Sequence, residues 1–297
     1  VHFLMHLDLL TANLLCIGLV VTDTVARSLR LKFFCDSIGS PLSVSQGIVV
    51  NAFGEAACAL TPARLGGEPA RLAGILRYRI STEAAIAAIT MEALLGWPMI
   101  IAGGAFLVWR FAPEWWQTAE PGIVRHMHGM WPWFVVVVVV SVLLWWLAHR
   151  WIRFSAPGRL KRSWRRVLVY WRRIPLWPIV ASQPLSLVSV TARTAILPVL
   201  ALTLPSPPPL GPLLLGSFAL LYSQMILPTP SGAGAVELGF LAGAAGSLGS
   251  DGTELLFWWR LYTSVVAVVL GLGLAARIYG WAAFRAWFRH RAPAVPE

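Results

Sequence analysis

Glu68 and Glu237 are carboxylates in the same local setting. Each closes a run that opens with Thr-Pro and passes two glycines: Thr61-Pro62 to Gly66, Gly67 and Glu68, and Thr229-Pro230 to Gly232, Gly234 and Glu237. Pro228 precedes the second run, and Ser231 and Ala233 lie inside it. Proline and glycine at this density stop a helix. A helix restarting after Gly66-Gly67 or Ser231-Gly232 presents unpaired N–H groups and the positive end of its dipole, which attract phosphate. Pro69 suits a first turn and Ser231 an N-cap. Arg71, Arg193 and Arg260 could add bidentate phosphate contacts. The glutamates oppose an anionic ligand, and their readings stay open: pairing with arginine, taking up a coupled proton, binding a cationic group, or capping first-turn amides. Arg260 pairing with Glu237 or Glu254 stands equally beside substrate contact.

The two runs read as a degenerate internal repeat. Thirty residues beyond Pro62 and Pro230, a charge falls within an apolar span, Glu92 in one case and Arg260 in the other. Interrupted segments at corresponding places in two halves of a membrane protein point to a substrate site near the midplane. The plain alternative is two polar loops, since Thr-Pro and Gly-x-Gly are common in loops. Glu92, Arg193 and Glu254 are expected as coupling or ion-pair residues, because charges within spans are functional by default. Glu55 and Glu92 also suit a polar bundle interior, while Asp23 and Glu83 are expected at an interface.

Composition sets the surroundings. Only 12% of the 297 residues are charged, 57% are apolar, and the mean hydropathy is +0.68. A soluble domain carries about 25% charged residues, so this is an integral membrane protein with little soluble mass. The net charge of +11 gathers at the ends of apolar spans. That distribution fits the positive-inside rule and anionic headgroups, and no nucleic-acid partner is expected. Cys16, Cys35 and Cys58 have neither disulfide-framework nor zinc-site spacing, so no cofactor or metal is expected. The chain starts at Val1, which suggests a trimmed N-terminus, and no cleavable signal peptide is expected.

The elements follow from hydropathy and breaks. Leu9 to Ala26 is a first span, and Arg27, Arg30 and Lys32 place its end in the cytoplasm. Val44 to Leu60 is too short for a free-standing span of about 20 residues and reads as a re-entrant limb, with Glu68 to Ile80 returning to the basic side. Thr82 to Trp109, Trp131 to Trp151, Ile179 to Leu204 and Glu254 to Ile278 are further spans. Leu210 to Leu227 is a second short limb, followed by a small-residue segment, Ala233 to Leu248. Within Arg153–Arg173, Leu160, Trp164, Val167, Leu168 and Trp171 share a face opposite Arg159, Arg162, Arg166 and Arg173. This is either an amphipathic helix on anionic cytoplasmic-leaflet lipids or a topology signal alone.

An even number of crossings in the first hairpin keeps the basic run inside. The two hairpins then enter from opposite faces. The expected fold is an all-α polytopic membrane bundle with two broken-helix, re-entrant hairpins arranged as an inverted repeat. One transmembrane domain fills 1–297, with repeats at 42–109 and 210–278 and a basic amphipathic segment at 152–174.

Thr61-Pro62 through Gly66-Gly67-Glu68 and Arg71, with Pro228 to Glu237 and Trp259-Arg260-Leu261-Tyr262, resemble the flippase-like membrane domain of lysylphosphatidylglycerol synthases and its stand-alone relatives. The likeness covers essentially the whole chain. Ser231 and Ala233 depart from the family's glycine pattern. The resemblance implies a multi-pass protein of the bacterial inner membrane, basic loops and C-terminus cytoplasmic, that moves a phospholipid or a polyprenyl or hopanoid lipid headgroup across the bilayer. It implies substrate contacts at Pro62, Gly66, Gly67, Glu68, Arg71, Pro228, Pro230, Ser231, Gly232, Gly234, Glu237 and Arg260. A stand-alone member is expected, without the aminoacyl-transferase domain and without the extra N-terminal span many members carry. The partners expected are the lipid itself and a homo-oligomer or lipid-synthesis protein.

Two other classes stand against a transporter. An intramembrane lipid-modifying enzyme has little motif support, since there is no HExxH and His126 and His128 sit in a loop. A scaffold that recruits a lipid-modifying partner through the basic segment is the other.

Overall fold

The computed structural model describes residues 7–111, 158–225 and 251–279, with isolated positions between these stretches. The described residues form helices and connecting turns, with no strand among them. The all-α membrane bundle expected from composition is therefore the observed class. Among the described residues, four helices are long and apolar enough to cross a bilayer: α1 (Leu9–Ser37), α4 (Thr82–Phe111), α6 (Leu176–Ala201), and a continuous run from Asp251 to Leu274. That last run comprises α8 (Asp251–Arg260), a π-helical turn at Leu261–Val265, and the start of α9 (Val266–Tyr279). The span expected at Trp131 to Trp151 lies outside the described stretches.

Between these helices sit shorter ones. α2 (Val44–Leu60) and α3 (Gly67–Leu76) form an antiparallel hairpin, and α7 (Leu210–Ser223) is a single short apolar helix. None reaches the ~20 residues of a free-standing span. The starts of α1 and α2 are written locally. Asp8 accepts from the Thr11 amide and hydroxyl, and Ser43 and Gln46 form a reciprocal capping box.

Two apolar clusters hold the bundle. One joins the C-terminal part of α1 (Leu31, Phe34, Cys35) to the open end of the α2–α3 hairpin, the start of α4, and Ile179 of α6. The other joins Cys16 of α1 to the end of α6 (Ile196, Leu197, Leu200), to α7 and to Trp259 and Tyr262. The α2–α3 hairpin thus opens toward the first cluster. α7 begins at the opposite end, where Gly211 packs on Phe111 at the end of α4.

α1 is longer than its hydropathy suggests. The expected span stopped at Ala26, with Arg27, Arg30 and Lys32 beyond it, but the helix runs through all three to Ser37. Arg30 is buried and Arg27 is paired inside the bundle, so neither is a boundary charge. A hydropathy window ends a span where charges begin. It cannot register that Asp23, Arg27 and Arg30, at i, i+4 and i+7, form one inward stripe.

α5 (Gly158–Arg173) is the expected amphipathic helix. It lies against the start of α4: Ser163 donates to Glu83 at 3.1 Å, and the Trp171 indole donates to Thr90 at 3.2 Å. Val167 is buried there while Trp164 stays exposed. Part of the apolar face is therefore covered by protein.

A buried layer of charge as the candidate functional site

Between the two apolar clusters lies a layer of paired charges. Its centre is Glu55 on α2, met by three guanidiniums from three different segments. Arg27 of α1 donates to Oε1; Arg64, at the hairpin tip, donates to Oε2 at 2.5 Å and Arg193 of α6 at 3.0 Å. Arg193 also reaches Asp23 Oδ2 through Nε at 3.2 Å, and Ser189 donates to Oδ1. Asp23 is thus buried in the bundle and not at an interface. Its expected position followed from its closeness to Arg27, which proves to be interior as well.

A second carboxylate extends the layer. Arg71 of α3 donates to Glu92 of α4, and Arg30 donates to the Glu92 carbonyl at 2.6 Å with its guanidinium 3.6 Å from the carboxylate. Arg71 also contacts Glu68 at 3.2 Å. The two ends differ in access. Arg71 and Glu92 are each 4% exposed, against 17% for Arg27 and 22% for Arg193. Arg71 and Glu92 are enclosed, with Glu68 beside them 56% exposed, and the Glu55 end is partly open through its arginines.

The sequence builds this arrangement from helical spacing and small residues. Ser182, Ser186, Ser189 and Arg193 repeat at i, i+4, i+7 and i+11 on α6 and are inward-facing polar positions. Gly54 lets Arg71 cross α2: a Cβ there would lie 2.4 Å from Arg71 Cγ and 2.9 Å from Cδ. A side chain at Gly67 would strike the Cys58 sulfur at 2.1 Å.

The hairpin tip is a compact turn. Thr61 Oγ1 accepts from the Gly66 amide at 2.8 Å, and α3 starts at Gly67 with Glu68 in its first turn. Ala63 and Arg64 hold left-handed backbone angles, φ 47° and 59°. For residues with a Cβ this conformation costs about 1–2 kcal/mol each. Here it aims the Arg64 side chain back at Glu55 and outward to Gln224, which accepts from Nη1 at 3.1 Å. Gln224 immediately follows α7.

Of the residues singled out from sequence, Arg71, Glu92 and Arg193 belong to this layer. Pro62, Gly66, Gly67 and Glu68 form the tip and the first turn of α3 beside it. Arg260 lies elsewhere: its guanidinium is 5.2 Å from the Trp259 ring centre. Two residues further on, Tyr262 donates to Asn13 at 2.6 Å. Asn13 lies ten residues before Asp23 on α1, a rise of about 15 Å. Glu254 is exposed in the first turn of α8. Pro228, Pro230, Ser231, Gly232, Gly234 and Glu237 lie outside the described residues. Sequence reasoning missed Arg27, Arg30 and Arg64, and assigned Glu55 only a generic polar environment. Helical spacing along α1 was the available signal.

An apolar, all-helical bundle with a layer of paired charge across its middle is a multi-pass membrane protein. The family profile described as Lysylphosphatidylglycerol synthase TM region matches residues 3–271, and the chain belongs to that family. Membership carries a role connected with membrane lipids. No curated protein and no solved structure matches the chain.

Proposed function

We propose that this protein is a flippase-like transporter that shelters a lipid headgroup while it crosses the bilayer. The carrying observation is the charge layer, where three arginines from α1, the hairpin tip and α6 converge on Glu55. Charge inside a bilayer is expensive and marks a pathway or a substrate site. A headgroup needs such a polar shelter while its acyl chains remain in lipid. Two short apolar helices approaching from opposite ends, α2 and α7, support an inverted arrangement of two interrupted elements around that shelter.

In this reading the tip residues Pro62, Gly66, Gly67, Glu68 and Arg71 face the headgroup from one side. Pro228, Pro230, Ser231, Gly232, Gly234, Glu237 and Arg260 are the proposed contacts of the second half of the site, Arg260 lying outside the charge layer. The host membrane is a bacterial inner membrane with α5 and the C-terminus on the cytoplasmic side, where the Arg153–Arg173 arginines meet anionic lipid.

Reconstitution into vesicles with a fluorescent phospholipid tests this. The expected result is protein-dependent movement of the label between leaflets with the lipid's mass unchanged. Glu237→Gln and Arg260→Ala should abolish that movement in folded protein. A change in lipid mass would instead indicate an enzyme, and no movement with no mass change would leave a scaffold. Normal movement in both variants would reject the second half of the proposed site.

A further inference from the structure

We infer that the open end of the charge layer selects a headgroup with one net negative charge, a phosphodiester without a compensating cation. This rests on the lipid-transport reading and narrows it. Around Glu55 stand Arg27, Arg64 and Arg193, with Asp23 as the second carboxylate. Among the described residues, three positive charges face two negative ones, a surplus of one. Around Glu92, Arg30 and Arg71 are matched by Glu92 and Glu68. The surplus therefore lies with the more accessible guanidiniums, Arg27 at 17% and Arg193 at 22% exposed against 8% for Arg30 and 4% for Arg71.

Uncompensated charge in a low-dielectric interior is costly, and an arriving anion relieves it. The donors for such an anion are present. Arg27 bonds through Nη1 alone and Arg193 through Nε and Nη2. Arg27 Nη2 and Arg193 Nη1 thus have no acceptor among the described residues. Two planar guanidiniums with free N–H groups match the oxygens of a phosphodiester. A cationic headgroup finds the reverse: both Glu55 oxygens are already taken by guanidiniums, and an ammonium would add a fourth positive charge.

The test is binding to the full chain in neutral detergent. The probes are short-chain phosphatidylglycerol, its lysyl ester, short-chain phosphatidylcholine and inorganic phosphate. Phosphatidylglycerol should bind at least ten-fold more tightly than the lysyl ester or phosphatidylcholine. Asp23→Asn keeps an acceptor for Ser189 but raises the surplus to two, and should tighten binding several-fold. Arg193→Gln should weaken binding about ten-fold, with folding checked by thermal unfolding. Arg27→Lys, which keeps the charge and loses the fork, should weaken it less.

Inorganic phosphate competing as well as the lipid would assign the site to phosphate of any source. Failure of phosphate to compete would assign it to the lipid. Equal or tighter binding of the lysyl ester, or no response to Asp23→Asn, overturns the inference. Selective binding without leaflet movement in vesicles would keep the anion site and reject transport. Movement of the lysyl ester with no preference for phosphatidylglycerol would do the opposite.

Discussion

Arg64 Nη1 donates to Gln224 Oε1 at 3.1 Å, tying the tip of the α2–α3 hairpin to the residue that follows α7. The same guanidinium holds Glu55 through Nη2, so one side chain joins the charge layer to a helix entering from the opposite end. Gln224 is fully enclosed and anchors its own amide on the Leu220 carbonyl at 3.0 Å. Gln224→Leu should therefore cost about 1.5–3 kcal/mol, the range for a hydrogen bond to a charged group. A double-mutant cycle with Arg64→Ala, read by thermal unfolding in detergent, should give a coupling of at least about 0.5 kcal/mol. Additive effects would show that the two do not act together.

Among the described residues, Glu55 is the acceptor common to three guanidiniums. Glu55→Gln leaves those charges facing one another and should destabilise the protein by about 3–5 kcal/mol. Adding Arg193→Gln removes one of them and should recover part of the loss, even though a second buried group has been altered. If the double variant unfolds at a lower temperature than Glu55→Gln, charge repulsion is not the dominant effect.

Gly54 is where the Arg71 side chain crosses α2. Gly54→Ala places a methyl group 2.4 Å from Arg71 Cγ, and overpacking of this kind costs about 1–3 kcal/mol. Gly18 faces open space, and Gly18→Ala should be neutral or stabilising by up to about 1 kcal/mol through helix propensity. Comparison of the two melting temperatures separates close packing from any general intolerance of alanine.

Arg79 is exposed and holds φ 60° in the turn between α3 and α4. Arg79→Gly relieves that conformation and should raise stability by about 1 kcal/mol. An unchanged or lower unfolding temperature would show that the arginine side chain contributes more than its backbone costs.

The two ends of the bundle should label from opposite sides. With Cys16, Cys35 and Cys58 replaced, a single cysteine at the exposed Ser206 should react with an impermeant maleimide in intact cells. One at Arg165, near Ser163, should react only after the membrane is opened. The reverse pattern would invert the proposed orientation.

Much of this architecture is legible in the amino-acid order. Hydropathy finds the long helices to within a few residues at most ends, and the density of proline and glycine from Thr61 to Pro69 marks the hairpin tip. The site is less legible because its residues carry two meanings. Arg27 and Arg30 follow an apolar run, where arginine ordinarily marks a membrane boundary, and only packing against α2 and α4 makes them interior. Arg64 has no periodic signal: its role depends on a left-handed turn that local propensity disfavours. Glu55 could be placed in a polar interior, but that three arginines would reach it is a tertiary fact, set by Gly54 and by the serine stripe on α6.

The charge layer is closed off by an oily plug toward each end, one built around Phe34 and Ile75 and the other around Trp259 and Leu197. Along the line joining those plugs the molecule is insulated: a small ion travelling that way meets hydrocarbon before it meets an arginine. Its resting conductance in a planar bilayer should be indistinguishable from that of bare lipid.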